Sequence, residues 1–178
     1  PTLSASYINA KEICADRWQQ AQALFVPGGA DIPYHEALRE IGNRHIQAFV
    51  QEGGSYYGIC AGAYYGCASI EFEKGFKNEV IGNRELQFFQ GVAVGTLFSP
   101  GTYSYHSAQG AREAEIAYGG QEHKVHYHGG CTFSGEDPAS EVLARYTELP
   151  GSPPAIIKCQ VGKGMAILSG VHYEYSHH

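Results

Sequence analysis

The stretch Gly58-Ile59-Cys60-Ala61-Gly62 places a cysteine between two glycines, at the end of an apolar run. The G-x-C-x-G spacing is typical of a nucleophile elbow, in which the reactive side chain lies on a sharp turn between a strand and a helix. The glycines allow neighbouring backbone to approach closely, and the helix N-terminus beneath the sulfur favours the thiolate. The alternative is a small, buried and unreactive cysteine beside a turn.

A nucleophilic thiol needs a base, and His172 is the leading candidate among nine histidines. It comes just after the apolar run at residues 167–170, and Glu174 lies two positions further on. On an extended segment these two side chains share a face, so the carboxylate can orient the imidazole. Taken alone, the pair is better explained by an exposed terminal strand that carries both residues by chance.

A third segment, Pro27-Gly28-Gly29-Ala30-Asp31, ends another short apolar run. Adjacent glycines can present a backbone N–H to a developing oxyanion, although the segment taken alone is better explained by an ordinary turn. Asp31 either caps the following helix or contacts a ligand.

Apolar runs alternate with helical periodicity along the first part of the chain, which predicts an α/β fold with parallel strands. The predicted order is strand 23–26, helix 34–52, strand 55–59 and helix 61–69. Because sites in open α/β sheets form beyond the carboxyl ends of parallel strands, we expect the three candidate segments to meet there.

The remaining segments predict mainly strands. A short strand is expected at residues 4–8, and the Gly- and aromatic-rich region 71–133 is expected to form β-hairpins. Three further strands are expected at residues 142–147, 155–161 and 164–169, with a hairpin turn between the last two. No repeat or linker is evident, so residues 1–178 are interpreted as one domain.

Composition narrows the possible functions. The net charge of −6 disfavours a nucleic-acid partner, and no apolar run reaches the ~18 residues that a membrane span requires. The five cysteines lack paired or C-x-x-C spacing, so neither a disulfide framework nor a zinc site is expected. The histidines at 123, 126 and 128 lack further ligands that would complete a metal site. The unpaired cysteines favour a reducing, cytoplasmic location. Neither a metal nor a cofactor is expected.

Five stretches together resemble the class I glutamine amidotransferase-like superfamily, and within it the N-terminal domain of biotin–protein ligases and its free-standing bacterial relatives. They are residues 24–34, 58–66, 79–91, 126–133 and 168–175. The resemblance covers nearly the whole chain. It implies a flavodoxin-like, doubly wound, mostly parallel sheet with a β-hairpin-rich insertion, from which the first strand and helix of such folds are absent.

The resemblance also implies roles for individual residues. Cys60 is the nucleophile, His172 the base and Glu174 its orienting carboxylate, while the oxyanion hole comes from Gly29 and Ala61. Substrate contacts are expected from Gly28, Asp31, Tyr64 and Tyr65. On the same ground alone, Asn83, Arg84 and Glu85 are expected to reach the site.

Two positions depart from the pattern of working glutamine amidotransferases. Tyr64 stands where these enzymes usually carry a glutamine, and Tyr173 stands where they usually carry a proline. The departures favour a more aromatic pocket, lined by Tyr64, Tyr65 and residues 103–106.

Three functions are consistent with these features. The first is a thiol hydrolase or amidotransferase-like enzyme acting on an amide or related acyl compound, with an unknown small-molecule substrate and a synthase or ligase as a possible protein partner. The second is a non-catalytic module that binds a ligand or partner. The third is a redox-active or aldehyde-scavenging thiol.

Overall fold

The computed structural model describes residues 4–18 and 20–175. The helices are α1 (Ala10–Cys14), α2 (Asp31–Leu38), α3 (Ile41–Gln51) and α4 (Ala61–Gly66). The strands are β1 (Ala23–Val26), β2 (Ser55–Ile59), β3 (Cys67–Phe72), β4 (Val80–Asn83), β5 (Phe89–Gly95), β6 (Arg112–Tyr118), β7 (Gln121–Tyr127), β8 (Thr132–Ser134), β9 (Ser140–Tyr146), β10 (Pro154–Val161) and β11 (Gly164–Ser169).

The larger sheet has seven strands in the order β1-β2-β11-β10-β9-β6-β7. Strand β2 pairs in parallel with β1 on one side and with β11 on the other. The remaining neighbours in this sheet are antiparallel. For β10 and β11 this follows from the predicted tight hairpin that joins them. The α/β class is therefore confirmed, with a mixed sheet whose parallel part consists of β1, β2 and β11.

One face of the parallel strands packs against helices and forms the core. Burial alternates along β1 and β11, because successive side chains of a strand point to opposite faces. Leu24 and Leu168 on this face pack in one cluster with Ile46 and Val50 of α3. On the opposite face Phe25 is exposed and stacks on Tyr57, with ring centroids 4.5 Å apart.

The hairpin-rich region forms two structures rather than one. Strands β4, β3, β5 and β8 build a second, four-stranded sheet, and β3 begins directly after α4. The β6–β7 hairpin instead extends the larger sheet through β9. The second sheet thus lies next to the helix that follows Cys60. Among the described residues, no helix has the length and hydrophobicity needed to cross a membrane.

Three predicted elements differ from the structure. Residues 4–8 form no strand. The single helix predicted at 34–52 is two helices that break at Glu40, whose φ of 59° is left-handed. The helix predicted at 61–69 ends at Gly66, because the following residues pair with β4 and β5 as strand β3. Tertiary pairing in this segment outweighs the local preference of small residues for helix.

Buried thiols predict a loss of stability in alkaline solution. Burial raises the pKa of Cys159 to about 12, whereas a cysteine in an unfolded chain has a pKa of about 8.5. The stability that this shift contributes is present below ~8.5 and is lost as pH rises towards the folded value, by about 1.4 kcal/mol per pH unit. Urea unfolding between pH 7 and 10 measures the effect. The free energy of unfolding should fall less steeply with pH in the Cys159→Val variant than in wild type. Equal slopes would contradict this prediction.

Candidate active site

Three turns meet beyond the carboxyl ends of β1, β2 and β11, which are neighbours in the sheet. Gly28 follows β1, Cys60 follows β2, and His172 lies shortly after β11. A Cβ atom placed on Gly28 would lie 2.7 Å from His172 Cε1, 3.5 Å from His172 Nε2 and 3.6 Å from Cys60 Cβ. The imidazole and the cysteine side chain therefore both lie against Gly28, as the sequence predicts for the three segments.

Cys60 has the backbone geometry of a sharp elbow. Its φ of 51° and ψ of −106° lie outside the regions that non-glycine residues usually adopt, and it immediately precedes α4. The conformation is held by neighbouring backbone, since Cys60 N–H donates to Ser169 O at 2.8 Å and Cys60 O accepts from Ala63 N–H at 2.9 Å. Strain of this kind persists where surrounding structure fixes it, and it is frequent at functional sites.

Both glycines of the elbow are needed for space. A Cβ atom on Gly58 would lie 2.3 Å from Gly62 O, and one on Gly62 would lie 2.0 Å from Val26 O. These are backbone atoms, so β1, β2 and α4 would have to move apart to admit a methyl group. The close approach explains the G-x-C-x-G spacing that the sequence shows.

Gly62→Ala should lower the free energy of unfolding by about 1–3 kcal/mol through overpacking. The matched control is Gly82→Ala in β4, where a Cβ atom would meet only the end of the flexible Arg84 side chain at 3.4 Å. Urea unfolding of both variants measures the difference. If both lose the same amount of stability, close packing of the elbow is not the reason for Gly62.

The Cys60 thiol is buried, with 5% of the residue exposed. Its Sγ donates to His128 O at 3.4 Å. Burial raises the pKa of the thiol to about 12, the Ala61 backbone N–H acts in the opposite direction, and the carboxylates of Glu174 and Asp31 raise it further. The expected thiolate is therefore not the form that this closed conformation favours. Desolvation outweighs the N-terminus of α4, which has only six residues.

His172 is held on two sides. Its Nδ1 lies 2.7 Å from Glu174 Oε1, and its backbone N–H donates to His126 O at 2.8 Å. A proton on Nδ1 donates to Glu174, which leaves Nε2 with a free lone pair. Nε2 and the Cβ atom of Cys60 both lie against Gly28, so this lone pair lies at the same glycine as the cysteine.

A narrow cleft opens beside the thiol. Of the predicted site residues, Gly29, Asp31, Cys60, Ala61 and Tyr64 line it. Ala30, Phe72, Tyr103, Tyr105 and Gly129 complete its wall. Tyr103 and Tyr105 lie in the segment 103–106, which the sequence predicts to line an aromatic pocket. The position of Phe72 in the cleft was not predicted, because the sequence does not indicate strand β3. The centre of a water molecule can move within only about 10 Å³ of the cleft, so the cleft has space for about one water molecule.

The two consecutive tyrosines of α4 have different surroundings. The Tyr64 hydroxyl donates to Gly130 O at 3.0 Å and to Gly129 O at 3.2 Å, at the cleft wall. Tyr65 is fully buried, and its hydroxyl donates to Asn43. Neighbouring helix residues diverge by about 100° around the axis, so Tyr64 lines the cleft and Tyr65 does not.

The three residues that the resemblance places near the site, Asn83, Arg84 and Glu85, also have different surroundings. Arg84 does not line the cleft, but its Nε lies 2.5 Å from Oδ2 of Asp31, which does. Glu85 instead accepts from Asn43 Nδ2 at 2.9 Å, away from the cleft lining. Asn83 contributes its backbone carbonyl, which accepts from Arg84 at 2.8 Å.

Two further contacts fix the site. The Tyr34 hydroxyl lies 3.2 Å from both the Pro27 and Gly28 carbonyl oxygens, so it ties α2 to the glycine turn. His126 and His128 contribute backbone carbonyls, to His172 and Cys60 respectively. Within residues 4–18 and 20–175, no three His, Cys, Asp or Glu side chains gather as metal ligands.

Comparisons with known proteins identify the family. The model of the biotin–protein ligase N-terminal family matches residues 1–178. An uncharacterised protein of Chlamydia muridarum is 42% identical over 163 residues, which are 89% of this chain and 62% of that protein. The biotin–protein ligase of Schizosaccharomyces pombe is 39% identical over 186 residues, 99% of this chain and 29% of the ligase. The chain therefore spans less than two thirds of each of these relatives.

The structure of a glutamine amidotransferase matches 92% of this chain and 83% of its own, with a TM-score of 0.63 and 19% sequence identity. At this identity the likeness shows the fold alone, and it confirms the predicted flavodoxin-like α/β architecture. With the family model matching from end to end, the chain belongs to the biotin–protein ligase N-terminal domain family.

Proposed function

We propose that this protein is a cysteine-dependent, amidotransferase-like hydrolase that acts on an amide or related acyl compound. The observation that carries the proposal is the placement of His172. Its Nδ1 is held by Glu174 at 2.7 Å, while its Nε2 edge and the Cys60 side chain lie against the same glycine. A nucleophile beside a base that is itself oriented by a carboxylate is the arrangement that covalent acyl transfer uses.

The first half-reaction forms a thioester. His172 Nε2 accepts the proton of the Cys60 thiol as Sγ attacks the acyl carbon, so the buried sulfur does not need to be ionised beforehand. The backbone N–H groups of Gly29 and Ala61 stabilise the oxyanion. As the bond between the acyl carbon and nitrogen breaks, His172 returns the proton to the leaving amine.

The second half-reaction releases the acid. A water molecule gives a proton to His172 Nε2 and attacks the thioester carbon. The carbon–sulfur bond breaks, the proton returns to Cys60 Sγ, and a carboxylic acid leaves. Glu174 stabilises the imidazolium in both halves without taking its proton.

The test is the rate at which iodoacetamide alkylates Cys60 as a function of pH, in wild type and in His172→Ala. A rate that depends strongly on His172 near neutral pH supports the proposal. Identical rates and pH profiles in both proteins would reject it.

A second function, a non-catalytic module that binds a ligand or partner, is favoured by one observation. Tyr64 fills the position usually occupied by glutamine and is tied to the Gly129–Gly130 backbone. In this case a synthase or ligase partner performs the chemistry. Cys60→Ser would then retain full biological function, whereas loss of function in a folded Cys60→Ser protein supports the hydrolase.

The free state of all five thiols, at 14, 60, 67, 131 and 159, supports a reducing compartment. We therefore place the proposed activity in the cytoplasm.

A further inference from the structure

We propose that the cleft selects a small acyl compound that carries a positive charge and no carboxylate, with Asp31 as the residue that recognises the charge. This inference rests on the proposed function, because it assigns the substrate class of the same site. It is carried by the charge and the aromatic lining of the cleft around Cys60.

Asp31 presents the charge. The residue lines the cleft together with Cys60, although only 8% of it is exposed. Arg84 Nε binds its Oδ2 at 2.5 Å, so the proposal assigns the contact with a ligand to the other oxygen, Oδ1. Arg84 itself lies behind Asp31 and is not part of the cleft wall. Among the described lining residues there is no Lys, Arg or His.

Two further carboxylates near the cleft have the same sign as Asp31, and the cation Arg84 is already paired with Asp31. Glu174 and Asp31 both act on the Cys60 thiol, and both raise its pKa. Burial raises the pKa of Tyr103 and Tyr105, and the buried carboxylate of Glu73 raises it further. An ammonium group in the cleft therefore meets the carboxylate of Asp31 in the lining, with Glu174 and Glu73 outside it.

The aromatic wall suits a cation as well. Tyr103 packs edge to face against Phe72, with centroids 5.2 Å apart, and against Tyr105, with centroids 4.9 Å apart. Aromatic rings around a ligand attract a cation through their quadrupoles, and the attraction grows when the site is desolvated. A carboxylate would face Asp31 without a cationic partner, which is unfavourable at short range.

This reasoning separates the site from one for a free amino acid such as glutamine. The α-carboxylate of glutamine would need a cation or a cluster of donors, and the cleft wall offers Asp31 and aromatic rings. Amides of amino acids, or acylated amines, place an ammonium group near a scissile bond without a carboxylate. Because the closed cleft admits about one water molecule, the segment that carries Tyr103 and Tyr105 must move outward to admit them.

The test compares two thiol-reactive probes of similar size and opposite charge. Trimethylammonium-ethyl and sulfonatoethyl methanethiosulfonate both modify Cys60 directly, without a catalytic cycle. Each rate is divided by the rate with 2-mercaptoethanol. In wild type the cationic probe should react about tenfold faster than the anionic probe after this correction, as expected for a charged cleft. A corrected ratio near one in wild type would overturn the proposal without any variant.

Variants then assign the preference to Asp31. Asp31→Asn should bring the ratio close to one. The matched control is Glu36→Gln, which removes an exposed carboxylate from the same helix and should leave the ratio at its wild-type value. If Asp31→Asn fails to fold because Arg84 is left unpaired, the Asp31→Asn/Arg84→Gln double variant takes its place. A ratio that persists in the folded variant would overturn the role of Asp31.

This outcome is independent of the hydrolase proposal. If the His172 variant leaves alkylation unchanged but the probe ratio holds, the cleft binds cations without catalysing hydrolysis. If the two probes react at equal corrected rates while alkylation still depends on His172, the hydrolase proposal is retained and its substrate belongs to a different class.

Discussion

Replacing His172 by alanine is expected to lower the rate at which iodoacetamide alkylates Cys60 at pH 7 by about 100-fold or more, the usual contribution of a positioned general base. Burial raises the pKa of the thiol to about 12, so very little thiolate forms at neutral pH without a proton acceptor. In the variant the rate should rise about tenfold per pH unit from pH 7 to 9, because the thiol must then ionise directly. In wild type the dependence should be weaker, since His172 accepts the proton.

Two controls make this result specific. Removal of the imidazole also opens space beside Cys60, which would raise reagent access and oppose the expected effect. His172→Gln keeps most of the volume and should show the same slow rate. The half-buried Cys14, followed by mass spectrometry in the same samples, should react equally in all proteins. If Cys60 reacts equally fast in wild type and His172→Gln, the elbow does not act with His172.

The sequence was sufficient for the parts of the site that depend on local geometry. The strands at 23–26, 55–59 and 164–169 were predicted with the bounds that the structure shows, because each is a short apolar run stopped by a turn. Since all three are parallel neighbours, the meeting of their following turns was predictable as well. The close packing at Gly58 and Gly62 was predictable too, because a nucleophile elbow requires neighbouring backbone to approach closely at these positions.

Properties that depend on tertiary surroundings were not predictable. The thiolate was expected from the helix N-terminus, but burial determines the ionisation of Cys60, and burial depends on the folded chain around it. Tyr64 and Tyr65 are adjacent and chemically identical, yet their environments differ because α4 turns between them. Strand β3 was missed because Cys67–Phe72 follows the small-residue helix without a turn signal.

Replacing Arg84 by glutamine should lower the free energy of unfolding by about 3–5 kcal/mol, because it leaves the carboxylate of Asp31 without its buried counter-charge. The two side chains are 6% and 10% exposed and lie 2.5 Å apart, Nε to Oδ2. Urea unfolding at pH 7 measures the change. The matched control is Lys74→Gln, which removes a pair with Glu71 of 3.0 Å whose side chains are 60% and 34% exposed. Because water screens that pair, its loss should change stability by less than about 1 kcal/mol.

The double variant Asp31→Asn/Arg84→Gln tests whether charge is the reason. Two neutral amide-bearing side chains at these positions leave no unpaired ion, so the double variant should regain a large part of the stability lost in Arg84→Gln. This recovery is expected because the penalty for a buried ion exceeds the net stabilisation from the intact pair. If the double variant is as unstable as the sum of the two single variants, Arg84 acts through its other contacts, such as its hydrogen bond to Asn83 O. A loss below about 1 kcal/mol in Arg84→Gln would show that solvent reaches Asp31 and screens it.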